Sequence, residues 1–139
     1  MAVPLLLFLS FFLSCQPLPK EVPLEKYRRQ YIEGQVFLKE ELKTKAPSAQ
    51  SLLIISVRNL EDPMPLAVLK VKNPKFPYHF RISGKHKLSH ERLLEGDVIL
   101  TARLTTSDTP EAQKGDLMGS TPAKVGTKGL RVIIDREVE

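Results

Sequence analysis

Three histidines and two of the methionines carry the side chains best suited to chemistry in this chain. His86 and His90 stand four residues apart. With His79, Met64 and Met118 they make up a set of imidazole and thioether donors of the kind that suits copper. A blue-copper centre also needs a cysteine thiolate, and Cys15, the single cysteine, stands far upstream of this set. His86 and His90 fall in polar turn sequence, where a solvated imidazole is the ordinary state, so no metal site and no cofactor is expected. A second candidate is "GDLMG" at 115–119, whose backbone amides could cradle an anion. The simpler reading has Gly115 and Gly119 supplying unusual backbone angles while Asp116 bonds its own turn. Neither Gly-x-Ser-x-Gly, nor Gly-x-x-x-x-Gly-Lys, nor His-Glu-x-x-His occurs, so an enzyme is not expected.

The elements that would position these residues begin after an N-terminal leader. Ala2–Leu13 is an apolar run too short for a membrane-spanning helix, which needs about 20 residues. It reads as the hydrophobic stretch of an export signal, although no Lys or Arg precedes it. Cys15 follows at once, and with one cysteine no intramolecular disulfide can form. "FLSC" is similar to the lipobox of bacterial lipoproteins, which makes Cys15 the expected lipid-attachment residue. Ser14 suits the site, whereas Phe12 and Leu13 depart from it. Gln16 carries no inner-membrane retention signal, which points to the outer membrane. "QPLPKEVPL" holds three prolines in nine residues and reads as an extended tether. In "LEKYRRQYIE" the spacing of Leu24, Tyr27 and Tyr31 is compatible with a short helix. The expected organisation is therefore a signal peptide over 1–14, a lipid-anchored tether over 15–33 and a folded domain over 34–139.

A formal net charge of +5 and a pI near 9.4 raise the question of nucleic acid. The basic residues are scattered from Lys20 to Arg136 without a dense block or an aromatic-rich motif, and no nucleic-acid partner is expected.

From Gly34 onward the apolar residues alternate with a period of two. "GQVFLKEEL", "SLLIISVRN", "LAVLKVK", "PYHFRIS", "DVILTARLT" and "LRVIIDREV" read as strands. Tyr78, Phe80 and Ile82 are predicted to point inward and His79 and Arg81 outward. Val98, Leu100, Ala102 and Leu104 likewise oppose Thr101 and Arg103. Turns are predicted at 59–63, 73–77, 83–87, 94–97, 107–116 and 125–129. "LSHERLLEG" is the one segment whose spacing competes as a helix. The pattern predicts an all-β fold, an immunoglobulin-like antiparallel β-sandwich of about seven strands.

Three segments in order sharpen that expectation: "PMPLAV", "KLSHERLLEGDVILTARL" and "AQKGDLMG". Together they resemble the C-terminal periplasmic domain of the c-type cytochrome biogenesis protein of the CcmI (CycH) type, a haem-lyase subunit. The residues that carry the resemblance are Pro63, Pro65, Leu66, Ala67 and Val68, then Leu88, Ser89, Ala102 and Arg103, and last Gly115, Asp116, Leu117 and Gly119. The resemblance implies an immunoglobulin-like sandwich without catalytic residues. Two departures stand out, "ISGKHK" before the Leu-Ser and "TTSDTPEA" before the Gly-Asp segment.

The resulting expectation is a non-enzymatic, lipid-anchored, periplasm-facing lipoprotein that binds other envelope proteins, among them cytochrome c maturation components or apocytochromes. Binding at the strand edge of "LAVLKVK" is one expected mode. The alternatives are a periplasmic metal or small-ligand carrier and a structural envelope lipoprotein.

Overall fold

The computed structural model describes residues 28–47, 50–89 and 92–139. Within them the alternating segments become strands. The first is β1, Tyr31–Leu38. A turn of 3-10 helix over Glu40–Lys45 follows, tucking Leu42 into the core. Then come β2 (Leu52–Asn59), β3 (Pro65–Lys72) and β4 (Tyr78–Ser83). After a short 3-10 turn at Gly84–His86 the chain continues through β5 (Asp97–Thr105), β6 (Leu117–Lys124), β7 (Leu130–Ile134) and β8 (Arg136–Glu137).

These strands form two sheets, one ordered β4-β1-β7 and one ordered β3-β2-β5-β6-β8. Ile32, Val36, Phe80, Ile82, Val132 and Ile134 from the smaller sheet meet Leu53, Ile55, Val57, Leu100, Ala102 and Leu104 from the larger in one apolar core. The inward sets predicted for β4 and β5 face the core, with Tyr78 partly buried and the rest buried. No buried side-chain nitrogen or oxygen lacks a hydrogen-bond partner among the described residues.

The structure departs from the sequence reading in five places. β1 starts at Tyr31, so the tether boundary expected at residue 33 falls inside a strand; Tyr31 pairs with Ser83 instead of continuing a helix. β1 and β7 run parallel, whereas the other pairs are antiparallel. β6 occupies a segment to which the sequence reading assigns no strand, since Gly119 and Pro122 hide its strand character. Pro122 is tolerated because β8 pairs only with Leu117 and Met118, leaving that flank of β6 free of ladder bonds. The helix considered at "LSHERLLEG" is absent from its described residues, where Leu94 is instead a fully buried core residue. Its amide donates to the Oε1 of buried Gln30 at 2.9 Å. Finally, Arg103 faces outward as its alternation requires and yet is only 5% exposed.

The last departure has a local cause, the segment 106–116. It leaves β5 and folds back over the outer face of the larger sheet. Gly115, at φ +93°, makes the turn that returns the chain to β6, as predicted. Gly119 serves a different purpose from the one predicted, because its φ is not positive. A Cβ there would collide with the Ile133 carbonyl, so glycine allows the β6 and β7 backbones to touch. Just beyond, the Asp135 amide donates to the Met118 carbonyl at 3.0 Å, where the chain passes from one sheet to the other.

Candidate functional site

Strand register arranges the outer face of the larger sheet in rows. The first row is Lys70, Ile54, Arg103 and Met118, from β3, β2, β5 and β6 in turn. The second is Val68, Ser56, Thr101 and Ser120, and the third is Pro65, Arg58, Ile99 and Pro122. The middle row consists of small side chains between two taller neighbours. The Thr101 and Ser120 hydroxyls lie 3.3 Å apart in it.

Segment 106–116 covers the first row, held there by charge. Arg103 Nη1 donates to Asp116 Oδ2 at 2.9 Å, both side chains nearly excluded from solvent. Arg103 Nη2 donates to the Thr109 carbonyl. Lys70 reaches Asp108 at 2.7 Å across the same row, an exposed pair that contributes little. Burial alone would raise the Asp116 carboxyl. Hydrogen bonds from the Gln113 amide, the Thr105 hydroxyl and Arg103, together with the Arg103 charge, outweigh it and hold the carboxyl below its ordinary value. Asp116 does bond its own turn, through the Gln113 amide at 2.8 Å, as the sequence suggested.

A covered first row, a low second row and a raised third row leave a trough of about 500 Å³. One wall is Asp108–Pro110 with Ala112, and the other is Arg58, Pro63, Pro65 and Leu88. Leu88 is held at this wall by its own amide, which donates to the Leu66 carbonyl at 2.9 Å. The Ala67 to Lys87 bridge lies beside it. This contact occupies the start of the β3 edge, the strand edge expected to receive a partner. Leu60, Met64 and Leu88 are among the large apolar side chains left exposed on the molecule. Leu60 and Met64 sit on the β2–β3 connection and Leu88 at the trough wall.

The residues picked out by resemblance divide by role. Pro63, Pro65, Val68, Leu88 and Arg103, from separate parts of the chain, converge on the trough. Leu66, Ala67, Ala102 and Leu117 are core. Gly115 and Asp116 shape the covering segment, Gly119 lets the sheets touch, and Ser89 is half-buried next to Leu88. Cys15 and His90 lie outside the described residues. Sequence reasoning missed Ser56 and Arg58 as site residues and placed Thr101 only as outward-facing. Outward alternation on β2 signals the first two, but only the cross-strand register shows that they meet.

The described members of the soft-donor set are divided between the two sheets. His79 is exposed on the smaller sheet while Met118 lines the trough on the outer face of the larger one. His86 Nδ1 accepts the Ser83 amide at 2.9 Å. Burial, helped by neighbouring Lys85, lowers its proton affinity. Among the described residues no three His, Cys, Asp or Glu side chains come together as a metal-binding group.

Comparison with known proteins now bears on this geometry. Residues 32–135 match the family described as the cytochrome c-type biogenesis protein H Ig-like domain. The chain belongs to that family. The match covers every strand from β1 to β7, and so includes the whole trough. An uncharacterized protein of Aquifex aeolicus (strain VF5) is similar at 42% identity over 133 residues, covering 91% of this chain and 89% of the relative. As an Ig-like domain of the biogenesis protein H family, the chain takes the sandwich fold expected from its strand pattern and from its resemblance to that family. Among the described residues no helix is long and apolar enough to cross a membrane.

Proposed function

We propose that this protein is a non-enzymatic, periplasm-facing binding module accessory to c-type cytochrome biogenesis. It is tethered through lipid on Cys15 and holds another protein in the trough of the larger sheet. The observation that carries this reading is the convergence of the family-like residues Pro63, Pro65, Val68, Leu88 and Arg103 on one concave surface, in a chain matched to the family over 32–135. The trough offers apolar walls, hydroxyls on its floor and cations at its rim, a mixture suited to a peptide. Among the described residues that line it, no nucleophile is paired with a base.

The test is a haem-stained gel of envelope fractions from a strain lacking the gene, beside the complemented strain. Covalent haem is expected to fall across several c-type cytochromes and to return on complementation; unchanged staining would move the protein to another envelope process. The anchor is tested separately. Labelled palmitate is expected in the wild-type chain and absent from Cys15→Ala, and equal labelling would remove the lipid from the proposal.

A further inference from the structure

Three cations line the trough, and they are not equivalent. Lys70 is matched by Asp108 and Arg103 by Asp116. Arg58 is half-buried, and among the described residues its guanidinium bonds only the Asn59 carbonyl, at 3.2 Å, with no carboxylate in reach. The register shift between Val57 and Arg58 places a bulge at this point, a device that re-aims a side chain. A half-buried guanidinium on an apolar wall is a planar donor fork prepared for a carboxylate. The floor beside it crosses β3, β2 and β5 through Val68, Ser56 and Thr101 and reaches β6 at Met118. Three inter-strand spacings make ~14 Å, room for about four extended residues.

From this charge complementarity and span we infer that the trough binds a short extended segment of a partner protein, with small apolar side chains over the floor and an acidic side chain on Arg58. The inference rests on the proposed protein-binding role and adds the chemistry of the segment. Ser56 and Thr101 provide hydroxyls for its backbone. Leu88 and Pro110 close over its apolar side chains from the two walls.

The probe is the capped peptide acetyl-Ala-Val-Glu-Ala-amide, titrated into the isotope-labelled full chain and followed by amide and arginine side-chain resonances. Shifts are expected at Ser56, Thr101 and Arg58. Replacing Glu by Gln in the peptide, or Arg58→Gln in the protein, is expected to weaken binding at least tenfold. Thr101→Tyr, which fills the trough from an outward position, is expected to abolish it in a protein whose spectrum remains folded. Equal affinity for the Glu and Gln peptides, or shifts confined to the smaller sheet, would overturn the inference. So would preference for acetyl-Ala-Val-Ala with a free terminal carboxylate, which would change the anion's source. Hemin that displaced the peptide and depended on Arg58 would also overturn it, by making the ligand a porphyrin.

Complementation separates this result from the proposed function. If Arg58→Gln fully restores haem staining in the deletion strain, the function stands and the peptide inference fails. If deletion leaves staining unchanged while the peptide binds through Arg58, the inference stands and the cytochrome role fails.

Discussion

The row through Arg103 and the row through Arg58 lie on one face of one sheet, two steps apart, and they have been treated in opposite ways. Over Arg103 the segment 106–116 folds down and provides a buried carboxylate and a carbonyl. Over Arg58 no described segment folds down, and among the described residues the guanidinium has a single backbone partner. A covered cation stiffens a wall; an uncovered one at the same depth in the sheet is available to something else. The smaller sheet offers a third arrangement. There Arg81 lies 4.5 Å from the Tyr31 ring centre and Arg131 4.6 Å from that of Phe37, so cations and rings satisfy one another.

The comparison breaks most severely at Arg103. Arg103→Met leaves Asp116 buried without its ion partner and is expected to cost about 4 kcal/mol in a urea titration. It should also free segment 106–116, seen as faster amide exchange there than in the smaller sheet. A cost near zero would mean that the segment is held by its backbone contacts alone. Gly119→Ala is expected to cost about 3 kcal/mol, because a methyl group would have to displace the Ile133 carbonyl. Unlike the Arg103 variant, it should loosen both sheets together.

Acid sharpens the contrast more gently. The Asp116 carboxyl titrates below its ordinary value of 3.8. Its contribution is therefore complete above the unfolded-state value and is lost as pH falls through the lower folded-state value. The stability gap between wild type and Asp116→Asn is expected to narrow as pH drops below about 4; a gap independent of pH would show that the carboxylate charge is not what holds the loop. On the smaller sheet, Arg81→Gln gives up the Tyr31 ring contact and an exposed bond to Glu33, with an expected cost of about 0.5–1 kcal/mol and no effect on the trough. Smallest of all, Arg58→Gln is expected to change stability by less than about 0.5 kcal/mol, since no ion pair among the described residues is lost. A large loss there would reveal a structural role and remove the contrast with Arg103.

Much of this was legible in the chain. Period-two alternation located β2, β3, β4, β5 and β7, and on β4 and β5 it named the side that faces the core, because a sandwich core admits only one side of each strand. Local spacing failed at Tyr31, where positions compatible with a helix were overridden by pairing with β4 and β7. It failed again at β6, whose Gly119 and Pro122 look like breakers until their neighbours are known. The family-like residues were visible as a pattern, but their meeting place was not. Row membership depends on register between strands distant in sequence, and the trough depends further on a loop that covers one row and spares the next. Arg58 therefore looked like any outward arginine.

The position of β1 between β4 and β7 has a consequence for timing. The first strand of the sandwich pairs in parallel with one of the last, and Asp135 then binds across to β6. A nascent chain emerging in order from its N-terminus can assemble the β2-β3 hairpin early and add β5 and β6 as they appear. The smaller sheet must wait with one flank of β1 exposed until residues 130–134 arrive. Closure of the sandwich therefore waits for residues 130–134, and a chain halted before Leu130 is expected to remain open, with its half-built core accessible to chaperones and proteases alike.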